Sequence, residues 1–454
     1  MANVAVIGAG LTGLGAASRI ERAGHRVTVF EAGSQVGGNI RSIQNSGYLV
    51  EEGPNTIQLS SAEHENWLRE AAPRLNLIEA DPAASKRYLV RHGRAIAVPG
   101  SPVGFLGTPL FSFKAKLRLI GELFARKPPP DTDESLSSFV LRRLGREMLD
   151  YAITPFVGGV YAGNPDQLSV RYGFPKLFNL EQDHRSLILG SVARRRERRR
   201  AGTLYRTRLV SFPDGLQALP RQLADSLREP VRLSTPVAGL DFDGQWRIRV
   251  GQPSSTETIQ ADAVVLALPA TALASLRIRG SEVLRTMGEI KHPPVVSYAM
   301  GFRRDQIAHP LDGFGALIPA LEPFRILGTL FSSSLFPGRA PEDHVLLTTF
   351  VGGTRAPELA GLPIDELRAL ILRDLEKLLG LHGAPVFEHR RLWPRAIPQY
   401  EVGHGRFLQA TLRVERENPG LQIGGNARDG ISLSYCIEGG RRLAGATLDF
   451  LAKR

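Results

Sequence analysis

Only one of the 454 residues is a cysteine, Cys436, so no disulfide within the chain holds the fold and nothing calls for an oxidising compartment. Long apolar runs are missing too. The best, Ala263 to Leu276, is interrupted by Pro269, Thr271 and Ser275 and falls short of the roughly 18 residues of a spanning helix. The amino end lacks a basic stretch leading into an apolar one, so no secretory signal is expected and cytoplasmic residence follows. The ten histidines show no ligand spacing such as H-E-x-x-H, and no metal site is expected. Repeats of solenoid length and low-complexity tracts are absent as well. What is present is 43% hydrophobic and 22% charged residues, enough for large cores and, by length, two or three domains.

Charge is unevenly placed. The formal net charge is +12, and Arg194 to Arg200 holds six arginines and one glutamate. A solvated basic loop is one expectation for this run; contact with an anionic membrane surface is another, which would make the protein peripheral on the inner face of the cell membrane. Nucleic acid is not expected, because no aromatics interleave with the arginines for base stacking.

The first motif is a βαβ unit. Val4, Val6 and Ile7 mark a buried strand, Gly8-Ala9-Gly10-Leu11-Thr12-Gly13 follows, and Leu14, Ala17, Ile20 and Ala23 give a helix an apolar stripe. A second strand, Arg26 to Phe30, ends at Glu31 and Ala32. Gly8 allows the tight turn, Gly10 lets backbone approach a pyrophosphate, Gly13 lets helix and strand pack, and Glu31 is placed to bind an adenosine ribose. The unit predicts dinucleotide binding, with Leu11 and Thr12 in the same loop. A simple NAD domain would begin another crossover after Glu31. Instead Val36-Gly37-Gly38-Asn39-Ile40-Arg41-Ser42 follows almost at once, a glycine pair and an arginine that resemble the second FAD signature of the amine oxidase and phytoene desaturase superfamily; the resemblance implies FAD, with Gly37, Gly38 and Arg41 as contacts.

A third piece lies far along the chain, where Gly420 to Asn426 reads as a strand into a glycine turn and Asp429-Gly430-Ile431-Ser432 opens a helix. Gly425, Asn426, Gly430, Ile431 and Ser432 are its candidate contacts, the alternative being a simple helix cap by Ser432 or Asp429. The expected fold is α/β: a discontinuous Rossmann-like FAD-binding domain at 1–80, 209–272 and 418–454. Into it are set a mostly helical, possibly membrane-associating insertion at 81–208 and an α+β substrate domain at 273–417. Within these, helices are expected at Lys114 to Leu123, Ser135 to Leu144 and Arg146 to Ile153. Strands are expected at Val231 to Leu233, Trp246 to Val250 and Ala261 to Pro269.

The glycine pair with Arg41 resembles the second FAD signature of the amine oxidase and phytoene desaturase superfamily. Internal segments resemble its protoporphyrinogen oxidase family: Glu51-Glu52-Gly53-Pro54-Asn55-Thr56, Lys86 to Arg91, Pro155-Phe156-Val157-Gly158-Gly159-Val160-Tyr161-Ala162-Gly163-Asn164-Pro165, Leu327 to Pro337 and Phe350-Val351-Gly352-Gly353. That resemblance spans essentially the whole chain. It implies oxidation of protoporphyrinogen IX to protoporphyrin IX with FAD and molecular oxygen, producing hydrogen peroxide, and admits a homodimer. It also implies that Leu317 and Leu330 sandwich a pyrrole ring, Phe350 stacks on another, Arg87 pairs with a propionate, and Gly163 and Asn55 line the pocket. Gly53, Pro54 and Asn55 would border the cofactor. No catalytic acid or base is expected, since the chemistry lies at the flavin N5. The alternatives are coproporphyrinogen III, for which Arg91, Arg94 and Arg171 would supply extra cations, an amine oxidase or carotenoid desaturase, and a non-catalytic scaffold.

Overall fold

In the computed structural model, which describes all residues except 126, 130–131, 185, 203–204, 253–254 and 279–281, early, middle and late segments of the chain share one parallel sheet. Its order is Arg26–Phe30, Asn3–Ile7, Ala263–Ala267, Leu421–Gly424, with Ile7 beside Leu266 and Leu266 beside Ile423. Val4 to Ile7 and Ala263 to Leu266 are buried on both faces, which is why their sequences are unbroken apolar runs. Val4, Val6 and Val265 pack under the first helix, Leu11–Arg22, and the last, Leu433–Ala452. Ala5, Ile7 and Val264 pack on Trp246 and Ile248 of a second sheet. The fold is thus the expected α/β class.

A seven-stranded sheet forms the second body. Its order is Phe387–Trp393, Val295–Arg303, His344–Gly352, Gly328–Phe331, Gly313–Leu317, Lys86–Arg91, Arg94–Ala97. One face carries Tyr88, Tyr298, Phe302, Phe331 and Leu347 against Leu367, Ile371 and Leu375 of the helix Ile364–Leu379.

Several local expectations shift. Two strands, Lys86–Arg91 and Arg94–Ala97, lie in the stretch read as helical; His92 and Gly93, both at positive φ, close them into a hairpin. Val231 to Leu233 forms no strand, only a bridge from Arg232 to Phe30. Arg146 to Ile153 is a short α-turn followed by a π-helical turn, Leu149–Ile153. The arginine run is no loop: it is the end of the helix Leu187–Arg200. Ser186 caps that helix, and Glu122 accepts from the Leu187 N–H (2.8 Å) and the Ser186 hydroxyl (2.6 Å). Glu122 is itself paired with the fully buried Arg143 (3.0 Å), which also meets Glu181. A buried charge is tolerable only with such partners, so this cluster fixes where the helix starts. No helix among the described residues is long and apolar enough to cross a membrane.

Candidate functional site

The glycine turns converge at the carboxyl ends of the parallel strands, where open α/β sheets place ligands. Gly8 (φ +104°) donates its N–H to Phe30 O (2.8 Å), and a Cβ there would overlap the Ala267 carbonyl. A Cβ on Gly13 would overlap the Gly8 carbonyl. Gly10 differs: a Cβ there would meet nothing within 4 Å. Gly10 is also the N-cap of the first helix, which has no side-chain cap and no acid in its first turn. The N–H groups of Leu11 and Thr12 are therefore left for an anion from outside the chain. Gly38 comes within 3.7 Å of Gly10 Cα when given a Cβ, so the second glycine pair closes over the same opening, held by Gly37 N–H to Ala9 O (2.8 Å). This space and these free donors fit a dinucleotide.

Side chains at the turns are more committed than their sequence suggests. Glu31 accepts from the Ala9 N–H and the Gly33 N–H, both at 2.8 Å, bracing the first loop; Ala32 beside it is exposed. Thr12 is buried, and its carbonyl lies where a Cβ on Gly440 of the last helix would come within 2.8 Å; burial pushes the Cys436 thiol up to about 11. Ser432 caps that helix through the Tyr435 N–H (3.2 Å), and Asp429 takes the Gly425 N–H (2.8 Å) and Arg442 (3.0 Å). Arg41 is half-buried, touches Gly38 O (3.3 Å), and has no carboxylate partner among the described residues. Gly425 and Gly430 both sit at positive φ, and Asn426, Gly430 and Ile431 stay partly open.

The seven-stranded sheet supplies the facing wall. One row of paired positions reads Arg391, Ser297, Phe350, Gly328, Leu317, Leu89, Ile96; the next reads His389, Ala299, Thr348, Leu330, Gly315, Arg87. Paired residues point the same way, so Leu317, Leu330, Phe350 and Arg87 share the face opposite Tyr88 and the sheet's own core. Leu317, Leu330 and Phe350 are half-buried, and glycines alternate with them, giving shallow relief suited to a flat apolar group. Arg87 is exposed; its guanidinium stands over the Phe314 ring (5.8 Å), with no ion-pair partner among the described residues. Strand spacing puts it roughly 10 Å from Leu330.

Two further segments close the space. Gly159 admits Leu317, because a Cβ would overlap its Cδ2; Val157–Tyr161 is a second π-helical turn, ending at Ala162 in the left-handed region (φ 52°). Such turns concentrate at functional sites. The buried Gly163 follows. Gly53, Pro54 and Asn55 are half-buried; Asn55 Nδ2 donates to Gly53 O (3.0 Å), Trp393 Nε1 donates to Glu52 O (2.8 Å), and a Cβ on Gly53 would lie 3.7 Å from the Trp393 ring. Sheet edge and glycine turns are thereby joined.

Sequence reasoning missed Tyr400 and His404, the latter counted only among the histidines without ligand spacing. Tyr400 donates to Asn426 O (2.7 Å) and accepts from Gly430 N–H (2.9 Å); burial raises its phenol pKa. His404 stacks on it at 4.0 Å and bonds Ala427 O (3.0 Å), and burial lowers its pKa to about 4, keeping it neutral. Together they hold the third glycine turn. Pro398-Gln399-Tyr400 carries no spacing or charge signal that could have revealed this.

Comparison with known proteins agrees with the geometry. The model of the flavin containing amine oxidoreductases matches residues 11–448. Protoporphyrinogen oxidase 2, chloroplastic/mitochondrial, of Arabidopsis thaliana is 34% identical, covering 99% of this chain and 94% of its own. Coproporphyrinogen III oxidase of Bacillus subtilis (strain 168) is 26% identical, covering 99% and 98%. A crystal structure from Exiguobacterium sp. 255-15, described provisionally as a protoporphyrinogen oxidase, is 26% identical with a TM-score of 0.80 and 99% coverage of both chains. The uncapped helix, the glycine turns and these matches agree: the chain belongs to the flavin-containing amine oxidoreductases and, among them, to the protoporphyrinogen oxidase family.

Proposed function

We propose that this protein oxidises protoporphyrinogen IX to protoporphyrin IX, with FAD as hydride acceptor and molecular oxygen as final acceptor, yielding hydrogen peroxide. The observation that carries the reading is the facing of the glycine turns by an apolar row, Leu317, Leu330 and Phe350, with Arg87, which has no ion-pair partner among the described residues, on its margin. In this reading Gly8, Gly10, Leu11, Thr12, Gly13, Gly37, Gly38 and Arg41 hold the dinucleotide, Glu31 the ribose, and Gly53 to Asn55 with Gly425 to Ser432 the flavin side. Bound FAD supplies the hydride acceptor. The protein's share is to hold an apolar disk in register, pair Arg87 with a propionate, and exclude water with the Val157–Gly163 wall.

Coproporphyrinogen III is not favoured. Arg91 is spent on Glu147 (2.7 Å) and the Tyr151 ring, Arg171 lies over the Tyr172 and Phe178 rings, and Arg94 is exposed on the hairpin. The proposed division into flavin parts at 1–80, 209–272 and 418–454, a helical part within 81–208 and a substrate part at 273–417 is supported by the parallel sheet that joins the first three. Peripheral attachment to the cytoplasmic face of an anionic membrane is supported by apolar residues presented outward on the helical part, among them Val103 (80% exposed), Phe113 (74%) and Phe124 (83%). Ile188, Leu189 and Val192 extend them on the helix that carries the arginines.

Anaerobic titration tests the reaction. Protoporphyrinogen IX bleaches the bound flavin while amines and carotenoids do not; unchanged flavin absorbance with the porphyrinogen would overturn the proposal.

A further inference from the structure

Gln399 is 3% exposed, and its side chain has an odd balance. Nε2 donates to two carbonyls, Tyr161 O and Ile397 O, each at 2.9 Å. Oε1 is buried without a partner among the described residues. The carboxamide cannot be turned over, since that would set an oxygen against both carbonyls. An apolar side chain of the same size would leave no acceptor stranded, so the donors are what the position gains from glutamine.

Those donors act at a demanding place. Tyr161 ends the π-helical turn, where carbonyls lack helical partners, and Ala162 follows in the left-handed region. Ala162 O accepts from Thr354 N–H (2.9 Å), just beyond the strand that bears Phe350, and Gly159 in the same turn packs on Leu317. At Gly163 a Cβ would overlap Gln399 Oε1 and come within 3.5 Å of its Cδ. The neighbouring residue, Tyr400, holds the Asn426–Gly430 turn. Adjacent residues therefore grip the two sides of the site, one the wall over the apolar row and the other the flavin turn.

We propose that Gln399 is a positioning residue for the reaction proposed above: it pins the Tyr161 carbonyl and holds the Gly163 backbone at the height where that wall meets the macrocycle. This rests on the porphyrinogen reading, so wild-type protein is assayed first. Wild-type flavin that does not bleach with protoporphyrinogen IX defeats that reading. With a bleaching wild type, Gln399→Leu, purified with full flavin, should show a KM raised about tenfold, kcat within about twofold and an unchanged flavin spectrum. An unchanged KM, or a loss tracking flavin content, overturns the role of Gln399. A second pair of variants answers even if the leucine variant folds poorly. Gly163→Ala should lose at least about tenfold in kcat/KM, and Gln399→Ala on that background should lose little more, because both changes undo the same contact. A fully additive loss in the double variant, about a hundredfold or more, also overturns the proposal.

Discussion

The glycine turns and the apolar row face one another but are specified in different ways. The turns are built of backbone: Gly8, Gly13 and Gly425 are there because nothing larger fits, and the binding groups are N–H donors any residue could present. The row is built of side chains on an ordinary sheet, and only register sets it apart from the buried face behind. A cradle of backbone tolerates almost no change at its glycines. A platform of leucines and a phenylalanine tolerates exchange, and under the proposed function its selectivity would pass to the few polar groups at its margin, Arg87 first among them.

The contrast is sharpest inside a single motif, and the largest effect is expected there. Gly13→Ala puts a methyl into the Gly8 carbonyl, so overpacking should cost about 3 kcal/mol or more, read as lost soluble yield and a lower urea midpoint. Gly10→Val, three residues earlier, meets open space and should fold with a near-wild-type midpoint yet purify colourless. A yellow Gly10→Val protein would break the assignment of that space to the cofactor.

Next in size is the platform's margin. Arg87→Ala should keep its flavin spectrum while kcat/KM falls by tenfold to a few hundredfold, the equivalent of about 1.5 to 3 kcal/mol for a lost charge-assisted hydrogen bond. A porphyrinogen esterified at its propionates should be processed nearly equally by both proteins. An equal penalty on the ester would assign Arg87 to the fold. The smallest effect on turnover is expected far from both walls, where serine at all six arginines of Arg194–Arg200 should leave kcat unchanged while weakening salt-sensitive sedimentation with anionic vesicles, by up to about 1 kcal/mol per residue. Undiminished sedimentation would remove the arginines from the membrane account.

The difference between the walls explains what could be read from sequence. The glycine turns were legible because the absence of a side chain is itself the requirement, and Gly8, Gly10 and Gly13 follow an apolar strand directly. The surroundings of Thr12 were not, since they depend on the last helix, which sequence does not place; the cap by Ser432 was legible only as the alternative to a cofactor contact. On the platform, Leu317, Leu330 and Phe350 were identified through family resemblance, since period-two alternation says which residues share a face but not which face is core. The hairpin Lys86 to Ala97 was lost among helices because Arg91-His92-Gly93-Arg94 looks like surface charge, although His92-Gly93 is a turn signal. The arginine helix was read as a loop because it has no apolar stripe; Glu122 and the Ser186 cap hold its start instead.

The close crossing of the first and last helices has a kinetic side. A Cβ at Gly440 would lie 2.8 Å from Thr12 O, so the helix that follows the first glycine turn packs closely on Leu433–Ala452. The sheet beneath adds a contact across 259 residues, Asn3 N–H to Asp262, before Leu421–Gly424 can join. Closing such long loops is slow, and the reward arrives only when the distant partner is available. On the ribosome, the segment from Asn3 to Arg22 must therefore wait for Leu433–Ala452 before it completes its packing. Premature termination anywhere before the last helix should yield colourless protein, and the cofactor supply meets this polypeptide only after synthesis has passed Leu433.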